Sequence, residues 1–81
     1  MRVLFFGRLV EAAGGRALSA PDDIGTLAAL RAWLETRDPL LAEALCGKGV
    51  RAAVNKVIAT DDFMALTAED EVAFMPPLSG G

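Results

Sequence analysis

The last seven residues, 75–81, are the stretch of this sequence whose residue types and spacing indicate chemistry. They read Met-Pro-Pro-Leu-Ser-Gly-Gly, and the reactive group would be the terminal carboxylate of Gly81. Two prolines cannot continue a helix or a central strand, so regular structure is expected to stop there. Two glycines remove every side chain from the tip, which can then enter a narrow channel in another protein. The alternative interpretation is a frayed end without function.

Side chains offer few other chemical groups. Histidine is absent and cysteine occurs once, which excludes an internal disulfide framework, the usual histidine-containing metal sites and histidine-based triads. Glu69 and Asp70 could form a general acid/base pair, yet adjacent carboxylates in a predicted turn are more typical of solvated charges. The net charge of −3, with Lys and Arg scattered along the chain, argues against nucleic-acid binding and favours a basic protein partner.

Three further positions each allow two interpretations. Cys46 could relay sulfur as a persulfide, but without a His or a second Cys it is expected to act as a small apolar filler. Gly14-Gly15 could belong to a phosphate loop, but the spacing and the Lys-Ser/Thr pair of such loops are missing, so a turn is expected. Trp33 could bind a partner, but its place on an apolar helical stripe favours the core.

Length and composition predict one domain around one core, since the chain has 81 residues and is 53% hydrophobic. No apolar run approaches the roughly 20 residues of a membrane span. The run at residues 3–6 is too short for the apolar region of a secretory signal. The expected location is therefore the cytoplasm.

Strands are predicted at both ends of the chain, and they must position the last residues. Residues 1–6 alternate, with Val3 and Phe5 toward the core and Leu4 and Phe6 on the solvent side. Residues 16–20 are expected to pair back on this strand. Residues 71–75 alternate as a final strand.

The middle of the chain predicts two helices. Thr26 is the expected N-cap of the first. Its apolar stripe consists of Leu27, Leu30, Trp33 and Leu34. Asp38-Pro39 is expected to begin a second helix over residues 40–45.

Short strands are predicted at residues 50–54 and 57–59, on either side of a turn at Asn55-Lys56. In the loop that follows, Phe63 and Leu66 are expected to fill the core. Strands at both ends with helices in the middle predict an α+β domain, in which a helix packs on one face of a sheet.

An apolar patch is expected beside the tail. In the final strand Val72 and Phe74 face the core, so Met75 joins the solvent-side face. If this strand lies beside the first, then Leu4, Phe6 and Met75 form a patch of the kind that marks a protein interface.

Three stretches, VLFFG at residues 3–7, AAVNK at 52–56 and DEVAFMPPLSGG at 70–81, resemble the small, sulfur-carrying subunits of molybdopterin synthase. Their order and spacing match as well, and the Pro-Pro and Gly-Gly motif is more specific than a bare Gly-Gly. The resemblance covers essentially the whole chain. It implies a ubiquitin-like β-grasp fold, a mixed sheet of four to five strands with a main helix on one face. Residues 1–75 would form the domain and 76–81 an extended tail.

The resemblance also implies a mechanism. A partner enzyme uses ATP to adenylate the carboxylate of Gly81, which is then converted to a thiocarboxylate. The tail enters a pocket of the large subunit in a heterotetrameric synthase and gives its sulfur to cyclic pyranopterin monophosphate. No cofactor would be bound by this chain, and the acid/base residues would lie on the large subunit.

By the same resemblance, Gly80 and Gly81 are the reactive end, Leu78 and Ser79 line the entry to the pocket, and Pro76-Pro77 direct the tail off the sheet. Glu69 departs from the pattern, because relatives often have Gly before Asp70, so the type of that turn is left open.

Several other functions share a Gly-Gly end. The carrier of the thiamine pathway is similar, but the Pro-Pro pair and residues 70–74 argue against it. A ubiquitin-like modifier would be joined through Gly81 to lysines of target proteins, alone or as a second role. A binding module with an inert tail is the third alternative.

Overall fold

Eight helices and strands lie within residues 1–77, which are the residues described by the computed structural model of this chain. In chain order they are β1 (Arg2–Phe5), α1 (Leu9–Ala13), β2 (Ala17–Ser19), α2 (Leu27–Arg37), α3 (Pro39–Leu45), β3 (Arg51–Val54), β4 (Val57–Ile58) and β5 (Glu71–Met75). The predicted elements are all present, and each differs by only a few residues at its ends.

The five strands form one mixed sheet in the order β2-β1-β5-β3-β4. β5 pairs parallel with β1 and antiparallel with β3, so the last strand lies in the centre of the sheet. The short β2 pairs antiparallel with β1, and β4 pairs antiparallel with β3. The predicted α+β class and the placing of the last strand beside the first are confirmed.

One face of the sheet is buried, as the alternation of residues predicted. Val3, Phe5, Val72 and Phe74 are at most 2% exposed. Phe5 and Phe74 are opposite each other in the parallel pair, and their rings stack with centroids 6.0 Å apart. Burial of these side chains fixes which face of β1 and β5 points to solvent.

Helix α2 belongs to the same core. Thr26 caps it, since its Oγ1 accepts a hydrogen bond from the backbone N–H of Ala29 at 3.0 Å. The inward residues Leu27, Leu30 and Leu34 are fully buried. Trp33 is half-buried and packs against the core, as its position on the stripe predicted.

The shorter helix α3 begins as predicted. Pro39 is its first residue, and the side chain of Asp38 accepts a hydrogen bond from the backbone N–H of Leu41 at 3.1 Å. Leu41, Ala42 and Leu45 fill its inward face. The prediction that Cys46 fills the core is wrong, because Cys46 is the exposed C-cap that follows the last buried residue.

The prediction that Phe63 fills the core is also wrong, whereas Leu66 is buried as expected. Phe63 is 78% exposed. The carboxylate of Asp61 accepts a hydrogen bond from the N–H of Phe63 at 2.8 Å, and its carbonyl accepts one from Met64 at 3.2 Å. This tight turn points Phe63 toward solvent, and Met64 packs against the core instead.

Across residues 1–77, the structure contains no helix with the length and apolar character needed to cross a membrane.

Two leucines in helices test which residues support this core. Leu30→Ala is expected to lower the free energy of unfolding by about 2–5 kcal/mol, because it leaves a cavity under the sheet. Leu40→Ala, at a position 78% exposed, is the matched control and should change it by less than about 0.5 kcal/mol. Urea denaturation measures both, and equal losses would contradict this description of the core.

Candidate functional site

The side of the sheet opposite the core carries an apolar surface, which we call the open face. It consists of Leu4, Phe6, Ile58, Ala73 and Met75, with Ala53 on the same side but buried between its strand neighbours Ala73 and Ile58. The strand register places Leu4 opposite Ala73, Ala73 opposite Ala53, and Ala53 opposite Ile58, so these four form a row across the sheet. Phe6 is 48% and Ile58 43% exposed, and Leu4 and Met75 are half-buried.

The predicted patch residues are therefore brought together. Leu4 and Phe6 line one shallow groove, and the N–H of Phe6 donates a hydrogen bond to the carbonyl of Phe74 at 3.1 Å, next to Met75. Ile58 was missed by the sequence reasoning. Its position follows from the predicted turn at Asn55-Lys56. A two-residue turn pairs Val57 with the core residue Val54, so Ile58, the next residue, lies on the opposite face.

Pairing of the central strand ends where the prolines begin. β5 stops at Met75, and Pro76 has no N–H to extend the ladder. Both proline rings are half-buried. Pro76 lies against Gly7 and Pro77 lies against Gly49: a Cβ added to either glycine would come within 2.7 Å of the facing proline ring. Neither contact was predicted from the sequence.

The base of the tail is locally cationic although the chain has a net charge of −3. Arg8 and Lys48 are the neighbours of the two glycines, and Arg51 is paired opposite Met75. All three side chains are exposed. The overall charge favoured a basic partner, whereas these three cations would complement acidic groups on a partner that contacts this end of the sheet.

Four of the predicted site residues, Leu78, Ser79, Gly80 and Gly81, lie outside the described residues. The roles assigned to them by the resemblance remain predictions.

Asp70 has polar partners that explain its position. Its carboxylate accepts hydrogen bonds from Asn55 Nδ2 at 2.8 Å and from the N–H of Thr67 at 2.7 Å. The bond from Asn55, and then that from Thr67, lowers the pKa of Asp70. A carboxylate held in the ionised form is a poor general acid at neutral pH. The pair Glu69 and Asp70 therefore fits a structural role better than acid/base chemistry.

The turns fit their sequences. The N–H of Asp70 donates to the carbonyl of Thr67 at 3.1 Å, and Glu69 does not have a positive φ, so Glu in place of Gly costs no backbone strain here. Gly14 ends α1 in a left-handed conformation, as expected of a turn. Asn55 and Lys56 have φ of 50° and 72° in the two-residue turn between β3 and β4.

Within residues 1–77, His, Cys, Asp and Glu nowhere form a group of three that could hold a metal ion.

Comparison of the sequence with known families and proteins gives consistent matches. The model of the ThiS family matches residues 3–81. The molybdopterin synthase sulfur carrier subunit of Escherichia coli is 38% identical over 81 residues, and the match covers 100% of this chain and 99% of that protein. The subunit of the same name from Haemophilus influenzae is 33% identical, with the same coverage.

The fold is also similar to that of solved structures. The crystal structure of SAMP1, small archaeal modifier protein 1, from Haloferax volcanii superposes with a TM-score of 0.82. It is 28% identical, and the match covers 100% of this chain and 98% of that one. The ubiquitin-like β-grasp fold implied by the resemblance is confirmed.

The hydrogen bonds to Asp70 predict a pH dependence of stability. The folded-state pKa of Asp70 lies below the unfolded value of about 3.9. The free energy of unfolding that these hydrogen bonds contribute is therefore fully present above the unfolded pKa, and it is lost as the pH falls through the folded-state pKa. Urea denaturation of the wild type and of Asp70→Asn between neutral pH and pH 2 measures it. The difference in stability between the two should shrink on acidification, and a constant difference would contradict the assignment.

Proposed function

The chain belongs to the ThiS family, and we propose on that basis that it is the sulfur carrier subunit of a molybdopterin synthase. Two curated relatives with that name align with it from end to end. The structural observation that carries the proposal is the position of the tail base. The chain leaves the central strand at Met75, at the end of the sheet where Phe6 of the neighbouring chain segment lies beside it.

The working group in this proposal is the carboxylate of Gly81. A carboxylate is a poor electrophile, so a partner enzyme first joins it to the AMP part of ATP and releases pyrophosphate. Sulfur at the oxidation level of sulfide then attacks the acyl carbon, the bond to AMP breaks, and Gly81 carries a thiocarboxylate. No electrons are exchanged in this step.

Sulfur transfer follows on the large subunit. The thiocarboxylate sulfur forms a bond to a carbon of cyclic pyranopterin monophosphate as the bond from that carbon to an oxygen substituent breaks and the oxygen leaves with its electron pair. Water then cleaves the acyl carbon–sulfur bond, which leaves the sulfur on the pterin and returns Gly81 to a carboxylate. Two such transfers supply the two sulfurs of the dithiolene. The large subunit supplies the acid/base groups and the activating enzyme binds ATP, while this chain binds no cofactor of its own.

The domain of residues 1–75 then has the task of delivering the tail, residues 76–81. Leu4, Phe6 and Met75, extended by Ile58, would bury apolar surface against the large subunit. Pro76 and Pro77 would direct the tail off the sheet toward the pocket, where Leu78 and Ser79 line the entry ahead of Gly80 and Gly81. A domain with these tasks needs no acid/base pair of its own.

A ubiquitin-like modifier is the second candidate. The similarity to a small archaeal modifier protein favours it. Activation of Gly81 would be the same, but the acyl group would pass to a lysine amine of a target protein, and no sulfur would reach a small molecule. The carrier of the thiamine pathway is a less favoured alternative, because the Pro-Pro pair and residues 70–74 argue against it.

Two exposed phenylalanines test the open face. Phe6→Asp is expected to weaken binding to the synthase large subunit by at least about tenfold, because a charge would be buried in an apolar contact. Phe63→Asp is the matched control, since Phe63 is exposed in a loop that is hydrogen-bonded to α2 on the other side of the sheet. Calorimetric titration and thermal melts measure binding and stability. A loss of stability that accounts for the loss of binding, or equal losses in the two variants, would contradict the role of the open face.

Deletion of Gly81 tests the reactive end. The shortened chain is expected to keep its melting temperature, because residue 81 lies beyond the last strand, and to give no molybdopterin with the activating enzyme, a sulfur donor, ATP and the large subunit. The product is measured by its fluorescence after oxidation. Formation of product at the wild-type rate would rule out Gly81 as the carrier group.

A further inference from the structure

We propose that Gly7 and Gly49 are positioning residues that hold Pro76-Pro77 from two sides and so set the direction in which the tail leaves the sheet. The inference rests on the proposed function, since it concerns delivery of the reactive end. It assigns a task to two glycines for which the sequence alone indicates no function.

The strand register explains why these two glycines flank the tail. Phe5 is opposite Phe74 in the parallel pair, so the next positions of the two chains bring Gly7 beside Pro76. In the antiparallel pair Arg51 is opposite Met75. Gly49, two residues before Arg51, therefore lies beside Pro77, two residues after Met75. The central strand therefore emerges between two loops, and each loop places a glycine against one proline.

Both contacts are close enough to exclude a side chain. A Cβ on Gly7 would lie 2.7 Å from Cγ and 3.4 Å from Cδ of Pro76. A Cβ on Gly49 would lie 2.7 Å from Cβ and 3.3 Å from Cγ of Pro77. Since a proline ring is closed onto its own backbone nitrogen, it cannot swing aside as a long side chain would. Relief of the contact has to move main chain, either that of the tail or that of the loop that carries the glycine, and either movement changes how the proline is held.

A third glycine separates this contact from backbone strain. Gly7, Gly14 and Gly49 have φ of +57°, +76° and +82°, a region that disfavours residues with a Cβ. A Cβ on Gly14 would meet nothing within 4 Å. Alanine at position 14 therefore introduces the backbone strain alone, whereas alanine at 7 or 49 adds a displacement of the proline.

A displacement at the prolines has a large effect at the reactive end. Four residues, 78–81, follow Pro77, and they can span at most roughly 14 Å. A change of direction at their base moves the acyl carbon of Gly81 relative to the substrate. Misplacement by about 1 Å can reduce the rate of a positioned reaction by about 100-fold.

The test compares three alanine variants of the thiocarboxylate-loaded chain. Gly7→Ala and Gly49→Ala should each lower the single-turnover rate of sulfur transfer by about tenfold or more when the large subunit is saturating. Their Kd for that subunit should rise by much less, because the open face is unchanged. Gly14→Ala carries the backbone strain without the contact, so it should lower the melting temperature by no more than the other two variants do and keep the rate within about twofold of the wild type.

A double-mutant cycle shows whether Gly7 acts through Pro76. Pro76→Ala removes Cγ and Cδ, the two atoms nearest to a Cβ at position 7. In a chain that already carries Pro76→Ala, the further change Gly7→Ala should therefore reduce the rate far less than it does in the wild type. Full additivity of the two effects would contradict the contact as the cause.

Failure of this inference is distinct from failure of the proposed function. If the wild type transfers sulfur and the variants at positions 7 and 49 match Gly14→Ala, the glycines do not position the tail. If the loaded wild type transfers no sulfur, the proposed function fails, and the contact is judged by NMR of the free protein. The amide signals of residues 78–81 should then shift more in Gly7→Ala and Gly49→Ala than in Gly14→Ala, and equal shifts would overturn the inference.

Discussion

The pairing of β5 on both of its sides is the constraint on which the rest of this structure depends. β1 binds one side in parallel and β3 the other in antiparallel, so the strand that leads to the tail is held by two ladders. Val72 and Phe74 are fully buried beneath it, and a slip of one residue would turn them to solvent. Register, core and exit point are therefore set together.

This arrangement suits a chain that supplies a reactive end to other proteins. An apolar open face and three exposed cations lie around the exit of the tail. Apolar contact would give affinity, and the cations would favour encounter with an acidic surface. Recognition then depends on the domain as well as on the Gly-Gly end, which several families share.

Local patterns predicted the fold well because they act over a few residues. The caps at Thr26 and Asp38, the two-residue turn at Asn55-Lys56 and the alternation of β1 and β5 each follow from neighbouring side chains. Phe63 was misplaced because the hydrogen bonds of Asp61, rather than hydrophobicity, decide where that side chain points. Cys46 was misplaced because it follows the last inward residue of α3 by one position.

The contacts around the tail base could not be predicted from the sequence, because they join residues far apart in the chain. Gly7 meets Pro76 and Gly49 meets Pro77 only after β5 is inserted between β1 and β3. The bond between Asn55 and Asp70 likewise joins the two-residue turn to the turn before β5. Composition and spacing identified the tail, whereas the residues that hold its base follow from the strand order.

The intact mass of the protein, purified from its native host while molybdopterin is being made, tests the central claim most directly. A sulfur carrier should appear partly as a species heavier by the replacement of one oxygen by sulfur, located at Gly81 by fragmentation. Finding only the carboxylate form would contradict the account, and isopeptide-linked adducts without any thiocarboxylate would identify a protein modifier instead.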